Sequence, residues 1–207
     1  MLKYEHFIFD FDGTLSDSYP AFVKAAKIVA DKYNVKVTVE DIYYLLKKYS
    51  TVYLFDTLPF GDQKANAHND FKILSKEILS TEATAIEGTQ ELLEFICQNG
   101  GKCYVYSHSG DIVLKNIKRW GIEKYFTDYM LGDVKYPRKP APDALLALIK
   151  KCDLEPPKCV MIGDRDIDIL AGKNAGMDGI LIDDEKYYPD LDVTYRVSSL
   201  SEIKDII

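Results

Sequence analysis

The sequence predicts an α/β protein, a doubly wound parallel sheet with an inserted all-helical cap. Three observations lead there. Apolar runs at residues 7–9, 103–106, 159–162 and 179–182 alternate with helical stretches. These runs are apolar throughout instead of alternating with polar residues, as strands buried on both faces require. Residues 16–84 carry helical periodicity and no convincing strand. The expected division is therefore an α/β core of residues 1–15 and 85–207, interrupted by a helical domain of residues 16–84.

Along the chain, residues 5–10 read as the first strand. Pro20 suits a first helical turn, and Ala21, Phe22, Ala25, Ile28 and Val29 recur at helical spacing. Asp17-Ser18 is the expected cap of that helix. Thr38 is the expected N-cap of a second helix through Ile42, Leu45 and Leu46. Pro59 and Gly61 mark a loop over 56–62. A third helix runs through Phe71, Ile73, Leu74 and Ile78. Thr89–Gln98 is amphipathic and stops at Asn99-Gly100-Gly101. Strand 103–106 leads to Ser107, and a helix over 111–120 ends at Gly121. A short strand at 129–131 precedes a stiff connector, Pro137-Arg138-Lys139-Pro140-Ala141-Pro142, and a helix through Leu145, Leu146 and Ile149. Strand 159–162, helix 166–174, strand 179–182, a weak strand at 195–197 and a short helix complete the core.

The 207 residues are 47% hydrophobic and 29% charged, enough for a real core and against global disorder. The net charge of -7 argues against nucleic-acid or anionic-membrane binding, which needs a basic face. Cys97, Cys103, Cys152 and Cys159 are scattered in apolar stretches and read as reduced thiols. The N-terminal MLKYEHFIFDFD has an acid and a histidine where a signal peptide is apolar, and no window reaches bilayer length. A cytoplasmic, soluble monomer or weak dimer is expected, with no nucleic-acid or membrane partner.

Polar residues fall at the ends of the strands. The strand through Phe9 ends in Asp10, that through Tyr106 in Ser107, and that through Ile162 in Gly163-Asp164. In open α/β sheets ligands sit outside the carboxyl ends of the strands, so Asp10, Asp12 and Asp164 should converge. Two bare carboxylates about 4 Å apart repel by about 4 kcal/mol at an effective dielectric near 20. Protonation or a cation relieves this. An all-oxygen site suits Mg²⁺, shared with substrate phosphate oxygens. Lys139, held between prolines, is the best lysine for a phosphate. Asp168 lies four residues after Asp164 on the same helix face and could orient Lys139 or the cation's waters.

Asp10-Phe11-Asp12-Gly13-Thr14, then Ser107, Lys139-Pro140 and Gly163-Asp164-Arg165-Asp166-Ile167-Asp168 together resemble the four ordered motifs of the haloacid dehalogenase superfamily. The last motif looks most like its phosphoglycolate phosphatase-like branch, and the helical insertion resembles its cap. The resemblance implies a Mg²⁺-dependent phosphatase acting on a small phosphomonoester through an aspartyl-phosphate. Asp10 would be the nucleophile, Asp12 the acid and base, and Ser107 and Lys139 the phosphate contacts. Asp10, Asp164 and the Asp12 main-chain carbonyl would hold Mg²⁺, with Asp168 supporting. Gly13 and Thr14 would shape the loop under the cap and join the substrate contacts. His108 stands where many relatives have asparagine and could donate a hydrogen bond or touch substrate. A β-phosphoglucomutase-like sugar phosphomutase, a haloacid dehalogenase and a non-enzymatic receiver-like module are the alternatives. Asp12 and an intact metal acid argue against the dehalogenase, and the inserted cap against the receiver.

Tyr43, Tyr44, Tyr49, Tyr53 and His68 could face a substrate, but helical spacing makes most of them packing residues. Asp183-Asp184-Glu185 reads as a solvated loop and Arg138 as a solvated side chain. Residues 16–84 contain no arginine, which favours a small or weakly charged leaving group.

Overall fold

The computed structural model describes residues 2–132 and 135–207. In chain order, β1 (His6–Phe9) and β2 (Ser16–Asp17) are followed by α1 (Tyr19–Lys32), α2 (Val39–Lys48), α3 (Thr51–Thr57) and α4 (Lys64–Glu82). Next come β3 (Thr84–Ala85), α5 (Thr89–Gln98), β4 (Lys102–Ser107), α6 (Asp111–Arg119), β5 (Phe126–Leu131) and α7 (Asp143–Cys152). The chain closes with β6 (Cys159–Gly163), α8 (Asp166–Asn174), β7 (Asp178–Ile182), β8 (Tyr195–Val197) and α9 (Leu200–Ile203). Two compact units emerge: Met1–Ser16 with Ala85–Ile207, and Asp17–Thr84.

The larger unit is a parallel sheet in the order β5-β4-β1-β6-β7-β8. β1 pairs with β4 on one side and β6 on the other, with Phe9 opposite Val105 and Ile162. The strand order therefore reverses at β1, the position where such sheets form ligand crevices. The register sets Asp10, Ser107 and Asp164 along one edge, one to two residues beyond the last paired positions. Side chains alternate between the faces. Ile8, Tyr104, Tyr106 and Met161 pack with Leu145, Leu148 and Ala171 of α7 and α8 on one face. Phe7, Phe9, Val105 and Ile162 are turned to the other and are fully buried. α5 is flanked by Gly88 at its N-cap and Asn99 at its C-cap, whose side-chain amide donates to the Phe95 carbonyl at 2.8 Å; Gly100 follows with φ of 86°.

The smaller unit is built from α1 to α4. Thr38 caps α2, accepting the Asp41 amide at 3.0 Å. Ser18 occupies the N-cap position of α1 but makes no side-chain cap hydrogen bond, so the expected cap there is not formed. The segment after Ser50 holds α3, a helix the sequence reading did not include. Its seven residues are too few for periodicity to register. Ser50 caps it by accepting the Tyr53 amide at 3.0 Å. Its Leu54 and Phe55 are buried, with Phe55 stacked on Phe60 and His68. The packing expectation fails for three tyrosines. Tyr44, Tyr49 and Tyr53 are exposed at 47%, 37% and 43%, and Tyr49 and Tyr53 stack on each other at 4.2 Å. Ile73 is likewise exposed on α4. No helix among the described residues is long and apolar enough to cross a membrane.

α8 lies close against β6 because Gly172 has no side chain. A Cβ at Gly172 would meet the Met161 Cβ at 2.6 Å, an atom fixed to the strand backbone. Gly172→Ala should therefore lower stability by about 1–3 kcal/mol despite alanine's better helix propensity. A drop of several degrees in the thermal midpoint is expected, and an unchanged midpoint would show that α8 can move aside freely.

Candidate active site

The loop after β1 turns sharply. Gly13 has φ of 80°, a conformation open to glycine without strain, and its amide donates to the Ser16 carbonyl at 2.8 Å. The amides of Leu15 and Ser16 both donate to the Phe11 carbonyl, at 3.0 and 2.9 Å. Asp10 continues the ladder, its amide donating to the Ile162 carbonyl at 2.8 Å. Thr14 lies beneath the loop instead of on its surface: it is fully buried, with its hydroxyl 3.4 Å from an Asp164 oxygen.

Lys139 reaches this edge from the connector before α7. Its ammonium donates to Asp10 Oδ1 at 2.6 Å, to Asp168 Oδ1 at 2.8 Å and to the Tyr106 carbonyl at 2.9 Å. It also lies 4.3 Å from the centroid of the Tyr106 ring. All three ammonium protons thus have acceptors, as a buried lysine requires. Burial alone would push this group down, but Asp10 and Asp168 outweigh it and hold the ammonium above the usual lysine range.

Asp168 is held in turn by the start of α8. Its other carboxylate oxygen accepts the Arg165 amide at 3.2 Å. Gly163 makes room for it: a Cβ there would stand 2.4 to 2.6 Å from the Asp168 side chain. Asp10, Asp164 and Asp168 each present an oxygen, and these oxygens lie within 4.8 Å of one another. Burial raises the Asp10 carboxyl well above its ordinary value; Lys139 opposes this, while Asp168, Asp164 and Asp12 add to it. One ammonium does not balance this many buried acids. The donor set is all oxygen and negatively charged, which fits a hard divalent cation.

The loop after β4 supplies three neighbouring side chains. Ser107 is buried, and its hydroxyl accepts the Ser109 amide at 3.0 Å. Ser109, not singled out from the sequence, donates its hydroxyl to Asp12 Oδ2 at 2.6 Å. The Ser-His-Ser repeat after an apolar strand was the available sign of it. His108 is half-buried; the Lys139 amide lies 3.1 Å from its Nε2, and Arg138 Nε lies 3.1 Å from its Nδ1. Burial, with the charges of Lys139, Arg138 and Arg165, lowers this imidazole to about 3, so it is neutral near pH 7. A neutral ring has a single acceptor nitrogen, so it accepts a hydrogen bond from one of these two donors at a time.

The structure thus brings Asp10, Asp164, Lys139 and Asp168 into one buried group, with Asp12, Ser107 and His108 on the loops beside it. Asp183 departs from expectation. It is buried, not solvated, and accepts the Tyr187 and Tyr188 amides at 2.7 and 3.1 Å and Arg196 at 2.5 Å. A carboxylate at a strand end with a cationic partner two strands' length later in the chain carries no local sign of burial.

Comparisons with known proteins find relatives over most of the chain. The chain is 28% identical to a phosphorylated carbohydrates phosphatase of Thermotoga maritima, over 85% of this chain and 83% of that protein. It is 29% identical to a phosphoglycolate phosphatase of Vibrio parahaemolyticus, over 81% of this chain and 78% of that one. A crystal structure described as a putative phosphoglycolate phosphatase from Lactobacillus delbrueckii superposes with a TM-score of 0.86 at 22% identity, over 100% of this chain and 99% of that one. Residues 7–182 match the family of haloacid dehalogenase-like hydrolases, and the chain belongs to that family.

Proposed function

We propose that the protein is a Mg²⁺-dependent phosphatase that hydrolyses a small phosphomonoester through a phosphorylated Asp10. The observation that carries this reading is the buried Asp10–Lys139 contact at 2.6 Å beside Asp164 and Asp168. It pairs a carboxylate with a fixed positive charge at the switch point of the sheet. The activities named for the two relatives support it.

In this reading the Asp10 carboxylate attacks phosphorus, and the bond to the leaving oxygen breaks. Lys139 stabilises the charge on the transferring phosphoryl oxygens. Asp12 protonates the leaving alcohol and then takes a proton from the water that hydrolyses the aspartyl-phosphate. Ser109 fixes one Asp12 oxygen and so orients the carboxyl. Ser107 contacts a phosphoryl oxygen. Asp10, Asp164 and the Asp12 carbonyl would hold Mg²⁺, which neutralises phosphate charge when bound. Both Asp168 oxygens already accept hydrogen bonds, from Lys139 and from the Arg165 amide, so Asp168 supports the lysine. The helical unit, inserted directly after this loop, is read as the cap that keeps water out during transfer.

Phosphate release from a panel of metabolite phosphomonoesters, with and without Mg²⁺, tests the assignment. Isomerisation of a sugar phosphate without net phosphate release would favour a mutase instead. Asp10→Asn should cut turnover at least roughly a thousandfold while the thermal midpoint stays within a few degrees; residual activity near wild type would remove the nucleophile. Mg²⁺ at about a hundred times its dissociation constant should add roughly 2.7 kcal/mol of stability by binding the folded state. Asp164→Asn should abolish that gain in a melting experiment, and an equal gain in the variant would place the cation elsewhere. Gly163→Ala should displace Asp168 from Lys139, lowering kcat by about tenfold or more; full activity would show that Asp168 is not needed to hold the lysine.

A further inference from the structure

Cys97 and Cys103 meet near the start of β4, the strand that ends in Ser107. α5 closes with Cys97-Gln98, and the chain turns back at once: the Gly101 amide donates to the Ile96 carbonyl at 2.9 Å. A Cβ at Gly101 would stand 2.6 Å from the Ile96 side chain, so glycine lets the turn close this tightly. Cys103 then enters β4 and pairs with Phe126 of β5. From α5, the Cys97 thiol donates to the Tyr125 carbonyl at 3.6 Å, one residue before that partner. The two side chains thus reach one place from helix and strand, and their thiols share a hydrogen bond. Both are free thiols, Cys97 partly exposed and Cys103 buried.

The surroundings of the four cysteines favour different charge states. The hydrogen bond from Cys103 lowers the Cys97 thiol to about 7 against the effect of burial, so about half of it is thiolate at neutral pH. The other three are raised: Cys103 by its hydrogen bond to Cys97 and by burial, Cys152 by burial and Asp128, and Cys159 by burial. The thiolate is the nucleophilic form. Attack on an external electrophile therefore falls to Cys97, while Cys103 is shielded from solvent. Bridging two cysteines requires side chains that face each other, and thiols joined by a hydrogen bond do.

We propose that Cys97 and Cys103 form a peroxide-responsive dithiol site, in which a hydroperoxide oxidises Cys97 to a sulfenic acid and Cys103 resolves it to an intramolecular disulfide. In the first step the Cys97 sulfur attacks one peroxide oxygen and the O–O bond breaks. The leaving oxygen takes up the thiol proton and departs as water or an alcohol. In the second step the Cys103 sulfur attacks the Cys97 sulfur and the S–O bond breaks. The hydroxide leaves as water with the Cys103 proton. Two thiols lose two electrons and one peroxide gains them. Oxidation of Cys97 also removes the thiolate charge that holds the Cys103 proton. A resolving partner this close diverts Cys97 from the irreversible sulfinic stage, and a thiol reductant restores the pair.

The test uses the intact protein with hydrogen peroxide as the probe. Trypsin cuts after Lys102, between the two cysteines, so the disulfide joins peptide 77–102 to peptide 103–115 in a mass spectrum. Wild type should form this joined pair, and dithiothreitol should separate it. Before oxidation, iodoacetamide should label Cys97 roughly fivefold faster than Cys152. Cys97→Ser should abolish the joined pair, and Cys152→Ser should leave it as in wild type. Cys103→Ser should give a Cys97 sulfenic acid that dimedone traps, followed by sulfinic acid. Peroxide that leaves the wild-type peptides separate, or joins Cys97 to another cysteine or to a second copy of the chain, overturns the site. Labelling of Cys97 no faster than Cys152 also overturns it, and that measurement needs no variant.

Discussion

The Lys139 ammonium is the constraint on which the rest of the site depends. It sits between Asp10 and Asp168, almost wholly removed from solvent, with a backbone carbonyl as its third acceptor. Taking such charges out of water costs several kcal/mol per ion, and only close, fully hydrogen-bonded geometry offsets it. Each neighbouring element serves that geometry. β1 brings Asp10, β4 brings the Tyr106 carbonyl, and the α8 turn brings Asp168. The absence of a Cβ at Gly163 lets Asp168 approach. A buried pair of this kind is a weak source of stability, but it holds its members in one arrangement, which a reaction centre needs.

The remaining negative charge has a chemical consequence. Lys139 balances one of the clustered acids, and burial, with the neighbouring acids adding to it, raises the Asp10 carboxyl. In the proposed function, this mutual repulsion is relieved by a bound cation and by the phosphate group that the cation and lysine would share. A hydrophobic replacement of the cluster would pack as well, yet it could bind neither. Packing thus explains the sheet, and the unbalanced charge explains why polar residues stand at its edge.

The loop after β4 shows how three consecutive residues divide the work. Ser107, His108 and Ser109 touch, respectively, their own loop backbone, the connector at Arg138–Lys139, and Asp12. This division depends on β4 lying beside β1, since Ser109 and Asp12 are far apart in sequence. The same dependence explains Asp183, whose partner Arg196 lies on the adjoining strand β8.

Much of this protein was legible in its residues. Apolar runs long enough to be strands buried on both sides, helices with clean periodicity such as Thr89–Gln98 and Asp111–Arg119, and acids set at strand ends follow from local chemistry. Short elements such as α3, the outward-facing tyrosines of the insertion and the buried Asp183 were not legible, because one turn carries no periodicity and burial depends on distant neighbours. The sequence by itself singled out the polar groups of the candidate site: Asp10, Asp12, Ser107, Lys139, Asp164 and Asp168. Only the tertiary structure decided which oxygen meets which proton. It set Ser109 on Asp12, turned Thr14 beneath the loop and placed Arg138 against His108, because those distances come from strand register and close helix packing, which are properties of the assembled sheet.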